Sequence, residues 1–300
     1  MTSEHNNKAS VENTRVQNTS IQGIPWMLLT MFFFVSMDAT AKYLNQSLDV
    51  TQVIWARYFF HVFILTIILL PRLKPLLKTS QLPLQLGRSF LLLITTGLFF
   101  TGLKYISMAD ASATMLASPI IVTALSVPIL KEIIGPRRWA SIAVGLIGAI
   151  IILRPGTGLF QPASLFPLGA AVTYSFYQIS TRLLNKSDNI LTTLLYSSLL
   201  GTVVMTMVAP FYWQTPNWQQ WVGMLGLGIL GGLGHFTLIK SLTLSPASTV
   251  APFTYSNMIW ATLFGYIIFN DTPDQWTVIG ALIISISGMY IFHRENMRNK

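Results

Sequence analysis

Long apolar runs separated by short polar breaks recur from residue 24 to residue 292, and they constrain this chain more than any other feature. A helix needs about 20 apolar residues to cross ~30 Å of hydrocarbon, whereas a β-barrel would show alternating segments of about ten residues. The chain is 52% hydrophobic and only 10% charged. The sequence therefore predicts an all-α integral membrane protein. Its net charge of +9 is scattered through loops, which favours membrane topology over nucleic-acid binding as the explanation.

The apolar runs predict ten transmembrane helices, at 24–43, 52–70, 88–106, 110–129, 138–154, 164–184, 191–211, 218–239, 247–269 and 276–292. With the N-terminus inside, most basic residues become cytoplasmic, namely Lys8, Arg15, Arg72, Lys74, Lys78, Arg88, Lys131, Arg137, Arg138, Arg182, Lys186, Lys240, Arg294, Arg298 and Lys300. Only Lys42, Lys104 and Arg154 fall outside. This asymmetry predicts a multi-pass protein of the cell inner (cytoplasmic) membrane with both termini cytoplasmic. Residues 1–22 are predicted to be a disordered cytoplasmic tail, and residues 294–300 a short second one.

The two halves of the chain resemble each other. AKYLNQS at 41–47 aligns with TRLLNKS at 181–187, and FFTGLKYISMADAS at 99–112 aligns with HFTLIKSLTLSPAS at 235–248. The matches occur in the same order and at nearly the same offset, which predicts a five-helix repeat at 23–155 and a second at 163–293. Because five is odd, the second repeat would cross the membrane in the opposite sense, as in the inverted repeats of secondary transporters.

Several motifs resemble one transporter family. They are WARYFFH at 55–61, SPI at 118–120, KEIIGPRRWASIAVGLIGAIIILRPG at 131–156 and APFTYSNMIWATLFGYIIFND at 251–271. Together with the duplicated ten-helix pattern, they are similar to the EamA branch of the drug/metabolite transporter superfamily, and the resemblance covers about residues 24–293. It implies a helical bundle with a central substrate cavity, and carriage of a metabolite such as an amino acid, S-adenosylmethionine or riboflavin. An arginine in the second span is common in that family, and Arg57 occupies its place here.

Three ionisable residues lie inside the first two predicted spans. Asp38 and Arg57 are at similar depth, because a helix rises ~1.5 Å per residue, and His61 follows one turn after Arg57. Such residues usually face a bundle interior and mark a pathway or a binding site, since an Asp or Arg at mid-membrane costs roughly 2.5–3.5 kcal/mol. Asp38, Arg57 and His61 are therefore predicted to bind substrate, with Asp38 also coupling transport to protons or exchange. The alternative is that Asp38 and Arg57 are only a structural ion pair.

Polar and aromatic residues at membrane depth extend this predicted substrate site. They are Tyr174, Tyr177 and Gln178 in the sixth span, and Tyr255, Asn257 and Trp260 in the ninth. Polar-tipped rings at this depth need partners or water, which favours a hydrated cavity, although core packing would explain any one of them. Pro119 and Pro252 interrupt the corresponding fourth and ninth spans, and helix kinks at these prolines are predicted to border the cavity.

Other polar residues have simpler interpretations. Lys42 and Lys104 lie at span ends, where snorkelling to the interface is favoured over substrate contact. Asp110 is interpreted as a helix cap, and His235 either as a packed polar residue or as cavity lining. Gly226 to Gly231 matches GxGxxG but lies in an apolar span with no preceding strand, so close helix packing is favoured over dinucleotide binding.

No catalytic residue, metal site or cofactor is predicted. The chain has no cysteine, only four histidines, no HExxH cluster and no Walker A sequence. The favoured function is a secondary active transporter of a small amphiphilic metabolite that works by alternating access. The alternative is an integral-membrane enzyme acting on a lipid or a lipid-linked substrate, with Asp38 and His61 as acid and base. An inverted repeat favours the transporter, because inverted symmetry serves access from both sides of the membrane, whereas an enzyme needs only one open face.

Overall fold

A computed structural model describes residues 22–130, 135–154, 161–184, 188–245 and 250–298, and every regular element in these ranges is helical. The helices are α1 (Gly23–Leu44), α2 (Val50–Leu69), α3 (Leu82–Tyr105), α4 (Met108–Met115), α5 (Ser118–Leu130), α6 (Pro136–Leu153), α7 (Leu165–Leu184), α8 (Ile190–Val208), α9 (Trp218–Leu244), α10 (Ser256–Phe269) and α11 (Gln275–Arg298). Short helical turns lie at Leu70–Arg72, Leu73–Leu76, Pro162–Ser164, Ala209–Tyr212 and Ala251–Tyr255.

Six helical stretches in the described residues are long and apolar enough to cross a membrane. They are Gly23–Leu44, Val50–Leu76, Leu82–Tyr105, Met108–Ile129, Ile190–Tyr212 and Trp218–Ser241. Trp139–Leu153 and Gln275–Tyr290 form two shorter apolar helices. The prediction of an all-α membrane protein is thereby confirmed. The predicted tail at 1–22 lies outside the described residues except for its last member, and α11 continues through residues 294–298, which were assigned to the second tail.

Equivalent helices of the two halves begin in the same way. Asp49 caps α2, and its Oδ1 accepts a hydrogen bond from the Thr51 N–H at 2.8 Å. Asn189 caps α8, and its Oδ1 accepts from the Leu191 N–H at 3.0 Å. Positions 49 and 189 have the same separation as the similar segments 41–47 and 181–187. The internal similarity of the sequence therefore extends to local structure, because both caps satisfy backbone donors at a helix start.

The helices of one half pack reciprocally on those of the other. Helix α1 lies against α9, and α3 lies against α7. In addition, α2 packs on α8, and α6 packs on α11. Each of these pairs contains a first-half helix and a second-half helix, and exchanging the halves turns the first pair into the second. The core therefore lies at the junction between the two halves, which is where a site shared by both would be built.

Pro119 and Pro252 lie at the starts of helical segments. Helix α4 ends at Met115 and α5 begins at Ser118, so the fourth predicted span is broken just before Pro119. Pro252 lies in the 3₁₀ turn that precedes α10. Proline is tolerated in a first turn because the amide hydrogen it lacks would have no partner there. The two proline positions thus coincide with interruptions of the corresponding helices.

Charged residues connect the two halves at one end of the bundle. The Lys42 ammonium pairs with Asp271 at 2.5 Å and donates to the Ile106 carbonyl at 3.0 Å. Arg154 pairs with Asp274. Lys42 was expected to snorkel to the interface, but here it contacts protein groups. Ser107, and not Asp110, is the cap of α4, while Asp110 accepts a hydrogen bond from the Thr277 hydroxyl at 2.6 Å.

At the opposite end, Asp188 connects the segment after α7 to the segment before α3. Its carboxylate accepts hydrogen bonds from the Thr79 hydroxyl, from both Ser80 donors and from the Gln85 amide at 2.8 Å. Burial acts to raise the pKa of Asp188, but these hydrogen bonds outweigh it and hold the pKa below its ordinary value. Asp188 therefore stabilises the fold above the ordinary carboxyl pKa, and this contribution is lost as the pH falls through the lower folded-state value.

We expect Asp188→Ala to lower the unfolding temperature at pH 7 and to have a smaller effect at a pH low enough to protonate the wild-type carboxylate. Thermal unfolding of the purified protein in detergent, measured from pH 7 downward, gives the difference as a function of pH. Asp188→Asn is the matched control, because it keeps an acceptor oxygen that does not titrate. A loss for Asp188→Ala that stays equally large over the whole pH series would contradict a role for the ionised carboxylate.

Candidate functional site

Arg57 connects the two halves near the centre of the bundle. It lies on α2 and is buried. Its Nη1 donates to the Tyr58 hydroxyl at 3.0 Å and to the Thr96 hydroxyl on α3. Its Nη2 lies 3.2 Å from Nε2 of His235 on α9. The guanidinium also lies over the Tyr58 ring, 4.8 Å from its centroid. Arg57 is therefore fixed by residues from both halves, as a shared site requires.

Asp38 does not pair with Arg57. The carboxylate lies on α1 and is 7% exposed, and within the described residues neither a salt bridge nor a hydrogen bond reaches it. The similar depth predicted for the two residues does not fix their direction around the helix axis. The guanidinium instead points to Tyr58, Thr96 and His235, so the ion pair considered for these residues is absent in this conformation.

Two histidine rings lie side by side next to Arg57. His61 and His235 are 4% and 3% exposed, and their ring centroids are 6.1 Å apart with planes inclined by 19°. The Phe34 ring meets His235 edge-on at 5.0 Å. Nε2 of His61 and Nδ1 of His235 are buried and have no hydrogen-bond partner among the described residues. Polar atoms in this condition are rare in folded proteins, so these two ring nitrogens are candidates for contact with a polar group of a ligand.

Arg88 is a member of the site that the sequence analysis assigned to the cytoplasmic surface. It is 1% exposed on α3. Its Nη2 donates to the Tyr177 hydroxyl at 2.7 Å, and its Nη1 donates to the Ser197 hydroxyl at 2.8 Å. Its Nε donates to the Thr181 hydroxyl at 2.7 Å. These acceptors belong to the second half, so Arg88 is a second arginine that joins the halves and positions Tyr177.

The misplacement of Arg88 has a local cause. The third apolar run predicts a helix that begins at residue 88, whereas α3 begins at Leu82 with Pro83 in its first turn. A proline at that position pre-sets helical φ and needs no amide partner, so it is a start signal that the sequence did contain. Starting the helix there puts Arg88 almost two turns inside it.

The predicted residues of α7 lie close to this cluster. The rings of Tyr174 and Tyr177 stack with centroids 5.6 Å apart and planes inclined by 14°. Tyr177 also meets His235 edge-on at 6.4 Å. Gln178 points to the break between α4 and α5, where its amide donates to the Ser118 hydroxyl at 3.1 Å. Tyr174 and Tyr177 thus add flat, polar-tipped surface next to the arginines and histidines.

The predicted residues of the ninth span lie in other surroundings. The Tyr255 hydroxyl lies against Gly288 of α11. Trp260 on α10 meets Phe32 edge-on at 5.2 Å, and Asn257 is half-buried on the same helix. Within the described residues, the contacts of Tyr255 and Trp260 are not with the Arg57 cluster. In the same ranges, no group of three His, Asp or Glu side chains could hold a metal ion.

Glycines bring α9 close to α2. A side chain at Gly228 would overlap Phe60, and one at Gly232 would lie 3.6 Å from Nε2 of His61. A Cβ at Gly231 would lie 3.3 Å from Sδ of Met37 on α1, whereas Gly226 faces open space. The interpretation of this glycine run as a close helix contact therefore agrees with the positions of Gly228 and Gly231. The close approach of α9 is what sets His235 beside Arg57 and His61.

Comparison with known proteins gives consistent matches over nearly the whole chain. The model of the EamA-like transporter family matches it twice, at residues 21–154 and 161–292. The S-adenosylmethionine uptake transporter of Rickettsia prowazekii is 31% identical over 92% of this chain and 94% of its own length. The riboflavin transporter of Vibrio cholerae is 31% identical over 95% of this chain and 97% of its own length. The family resemblance and the two repeats inferred from the sequence are thereby confirmed.

A solved crystal structure has the same fold. Its TM-score is 0.67, and the match covers 90% of this chain and 96% of that one. The two sequences are 15% identical, so the likeness concerns the fold and carries no information about substrate.

Proposed function

We propose that this chain, which belongs to the EamA-like transporter family, moves a small amphiphilic organic metabolite across the inner membrane by alternating access of its two repeats. The chain is a transporter and not the membrane enzyme that Asp38 and His61 could also have suggested. The proposal includes ten transmembrane helices, with α4 and α5 forming one discontinuous span, and a second repeat that is inverted relative to the first. The reciprocal packing of α1 on α9 and of α3 on α7 supports this arrangement.

One observation carries the proposal: buried polar contacts join the two repeats at the centre of the bundle. Arg57 of the first repeat contacts His235 of the second, and Arg88 of the first contacts Tyr177 and Ser197 of the second. A structural core would be expected to place apolar side chains here, because buried cations are costly. Relative movement of the repeats would rearrange these contacts, which is what a substrate site opening alternately to either side needs.

The substrate that best fits these groups has a flat apolar part and a charged or strongly polar end. Arg57 and the two histidines would face the polar end, and the stacked rings of Tyr174 and Tyr177 would contact the flat part. Gln178 would orient the substrate. Tyr255, Asn257 and Trp260 are proposed to line the second-repeat side of the path in another conformation. S-adenosylmethionine and riboflavin, which the related proteins are named for, both have this chemistry, as does an aromatic amino acid.

Uptake into liposomes containing the purified protein tests this function. Radiolabelled S-adenosylmethionine, riboflavin and a set of amino acids are supplied singly, with counterflow exchange measured for each. We expect saturable uptake of at least one compound that combines a flat ring with a polar end, and none by protein-free liposomes. Absence of uptake and of counterflow for the whole panel, in protein that remains monodisperse, would overturn the proposed substrate class.

Both termini are proposed to be cytoplasmic, which places the segment from Asp271 to Asp274 outside. The distribution of Lys and Arg motivates this orientation. Thr272 is exposed and the chain has no cysteine, so Thr272→Cys introduces a single reporter. We expect an impermeant thiol reagent to label this variant in intact cells. Lys78→Cys, at the opposite end, is the matched control and should react only after lysis. The reverse labelling pattern would invert the topology.

A further inference from the structure

The His235 imidazole is held in one tautomer by Arg57. Nη2 of Arg57 lies 3.2 Å from Nε2 of His235. A guanidinium has five N–H donors and no acceptor, so Nε2 must be the accepting, unprotonated nitrogen. The ring proton then lies on Nδ1, because the neutral imidazole carries one proton. His235 therefore presents an Nδ1–H donor. A doubly protonated ring is disfavoured, because its Nε2–H donor would face the N–H donor of Arg57.

This donor is buried and has no partner among the described residues. Nδ1 of His235 and Nε2 of His61 are the two ring nitrogens in that condition, and their rings lie nearly parallel, 6.1 Å apart between centroids. Both side chains are more than nine-tenths buried. Buried donors nearly always find a partner in native structures, so unpartnered nitrogens on two neighbouring rings point to a ligand group that hydrogen-bonds to them.

We propose that His235, with its tautomer set by Arg57, and His61 form a subsite that recognises a hydrogen-bond acceptor oxygen of the transported substrate. The inference rests on the proposed function and specifies which part of the substrate these side chains contact. His235 is the specificity-determining donor, and Arg57 acts partly as a positioning residue. The oxygen belongs to a carboxylate or to a ring carbonyl, which share the acceptor chemistry.

The charges around the rings favour an acceptor over a cation. The Arg57 guanidinium is within hydrogen-bond distance of His235 and lies one helical turn from His61. A positive ligand group here would meet a fixed cation and an N–H donor, whereas an acceptor oxygen is attracted by both. His61 can complete the contact, because its unpartnered Nε2 can carry the ring proton as a second donor.

Three substitutions of His235 test the donor. Asparagine places an amide N–H near the position of Nδ1, glutamine places its polar group near the position of Nε2, and phenylalanine keeps only a ring. For whichever substrate the wild type transports, we expect His235→Asn to change the dissociation constant by less than about threefold. We expect His235→Gln and His235→Phe to raise it about tenfold or more, since a hydrogen bond to a buried group is lost.

Thr237→Val is the matched control. Thr237 is buried on the same helix, and its hydroxyl contacts Thr30 of α1 at 3.0 Å instead of the histidines. This variant should bind substrate as the wild type does. Affinity that is unchanged in His235→Phe, in protein with a normal unfolding transition, would overturn the subsite.

Ligand fragments distinguish the two sources of the oxygen. If S-adenosylmethionine is transported, methylthioadenosine serves as the fragment that lacks the carboxylate. A loss in His235→Phe that is confined to the whole molecule assigns the subsite to the carboxylate. If riboflavin is transported, lumichrome retains the ring carbonyls without the ribityl chain, and a loss that persists with lumichrome assigns the subsite to a ring carbonyl. Equal affinity of wild type and variant for every one of these compounds contradicts both assignments.

Nitrogen-15 NMR of histidine-labelled protein tests the tautomer independently of transport. The chain has four histidines, so His235 is assigned by comparison with His235→Asn. We expect an Nδ1-protonated, Nε2-unprotonated ring in the wild type, and loss of that preference in Arg57→Leu. An Nε2-protonated ring in the wild type would overturn the inference. Failure of the proposed function would appear separately, as absence of uptake by the wild type in the liposome panel.

Discussion

Arg57→Leu is expected to raise the dissociation constant for substrate at least about thirtyfold, or by ~2 kcal/mol. The guanidinium supplies the positive charge beside the two histidines and fixes the His235 ring through a 3.2 Å contact. Leucine fills much of the volume but provides neither the charge nor the donor. Titration of the reconstituted protein with the transported substrate measures the change.

The Arg57→Leu protein should still fold. The Tyr58 hydroxyl keeps its hydrogen bond to the Leu92 carbonyl at 3.1 Å, and the Thr96 hydroxyl keeps its own to that carbonyl at 2.9 Å. Arg57→Lys retains charge without the planar fork and should bind substrate with intermediate affinity. Arg154→Leu removes an arginine that pairs with Asp274 at the end of the bundle, and should leave affinity unchanged. Undiminished affinity in Arg57→Leu would remove this residue from the site.

The class of fold followed from the sequence because apolar length is a local property. The length and hydropathy of each apolar run indicate by themselves whether it can cross a membrane. The similarity of 41–47 to 181–187 is found by aligning the two segments. The burial of Arg57 together with His61 could also be predicted, since residues one turn apart lie on the same helix face. The two are buried together on α2 as that reasoning predicts.

Partners were harder to predict, because they depend on how helices distant in sequence turn toward one another. Asp38 and Arg57 are both buried, but the guanidinium contacts Tyr58, Thr96 and His235 and makes no ion pair with Asp38. Lys42 meets Asp271, which is 229 residues away along the chain. The burial of Arg88 can be predicted only if α3 is given its correct first residue. Its acceptors on α7 and α8 depend on the packing of α3 on α7, which a single sequence does not reveal. Interpreting Pro83 as a helix start predicts that Arg88 lies inside α3, but it does not predict which side chains Arg88 contacts.

Asp38→Asn is expected to abolish accumulation of substrate against a gradient while leaving counterflow exchange partly intact. We propose that Asp38 couples transport to protons. The carboxylate is buried on α1 without a salt bridge among the described residues, and Arg57 is held by other groups. Pairing with a guanidinium favours an ionised carboxylate, and a greater separation weakens that preference. A conformation that brings the two together would release a proton that a separated conformation takes up.

A difference of one pKa unit between two such conformations corresponds to ~1.4 kcal/mol of differential interaction, which is within the reach of one buried charge pair. Asparagine resembles the neutral acid in both conformations, so a transport cycle of Asp38→Asn moves no proton and is not driven by the proton gradient, although both conformations stay accessible.

Uptake into liposomes with an imposed pH gradient measures accumulation, and exchange of labelled for unlabelled substrate without a gradient measures the remaining substrate movement. Asp49→Asn is the matched control, because Asp49 caps α2 with an oxygen that asparagine also provides. If Asp38→Asn still concentrates substrate in response to the pH gradient, then Asp38 does not carry the proton, and the absence of its pairing with Arg57 has only structural significance.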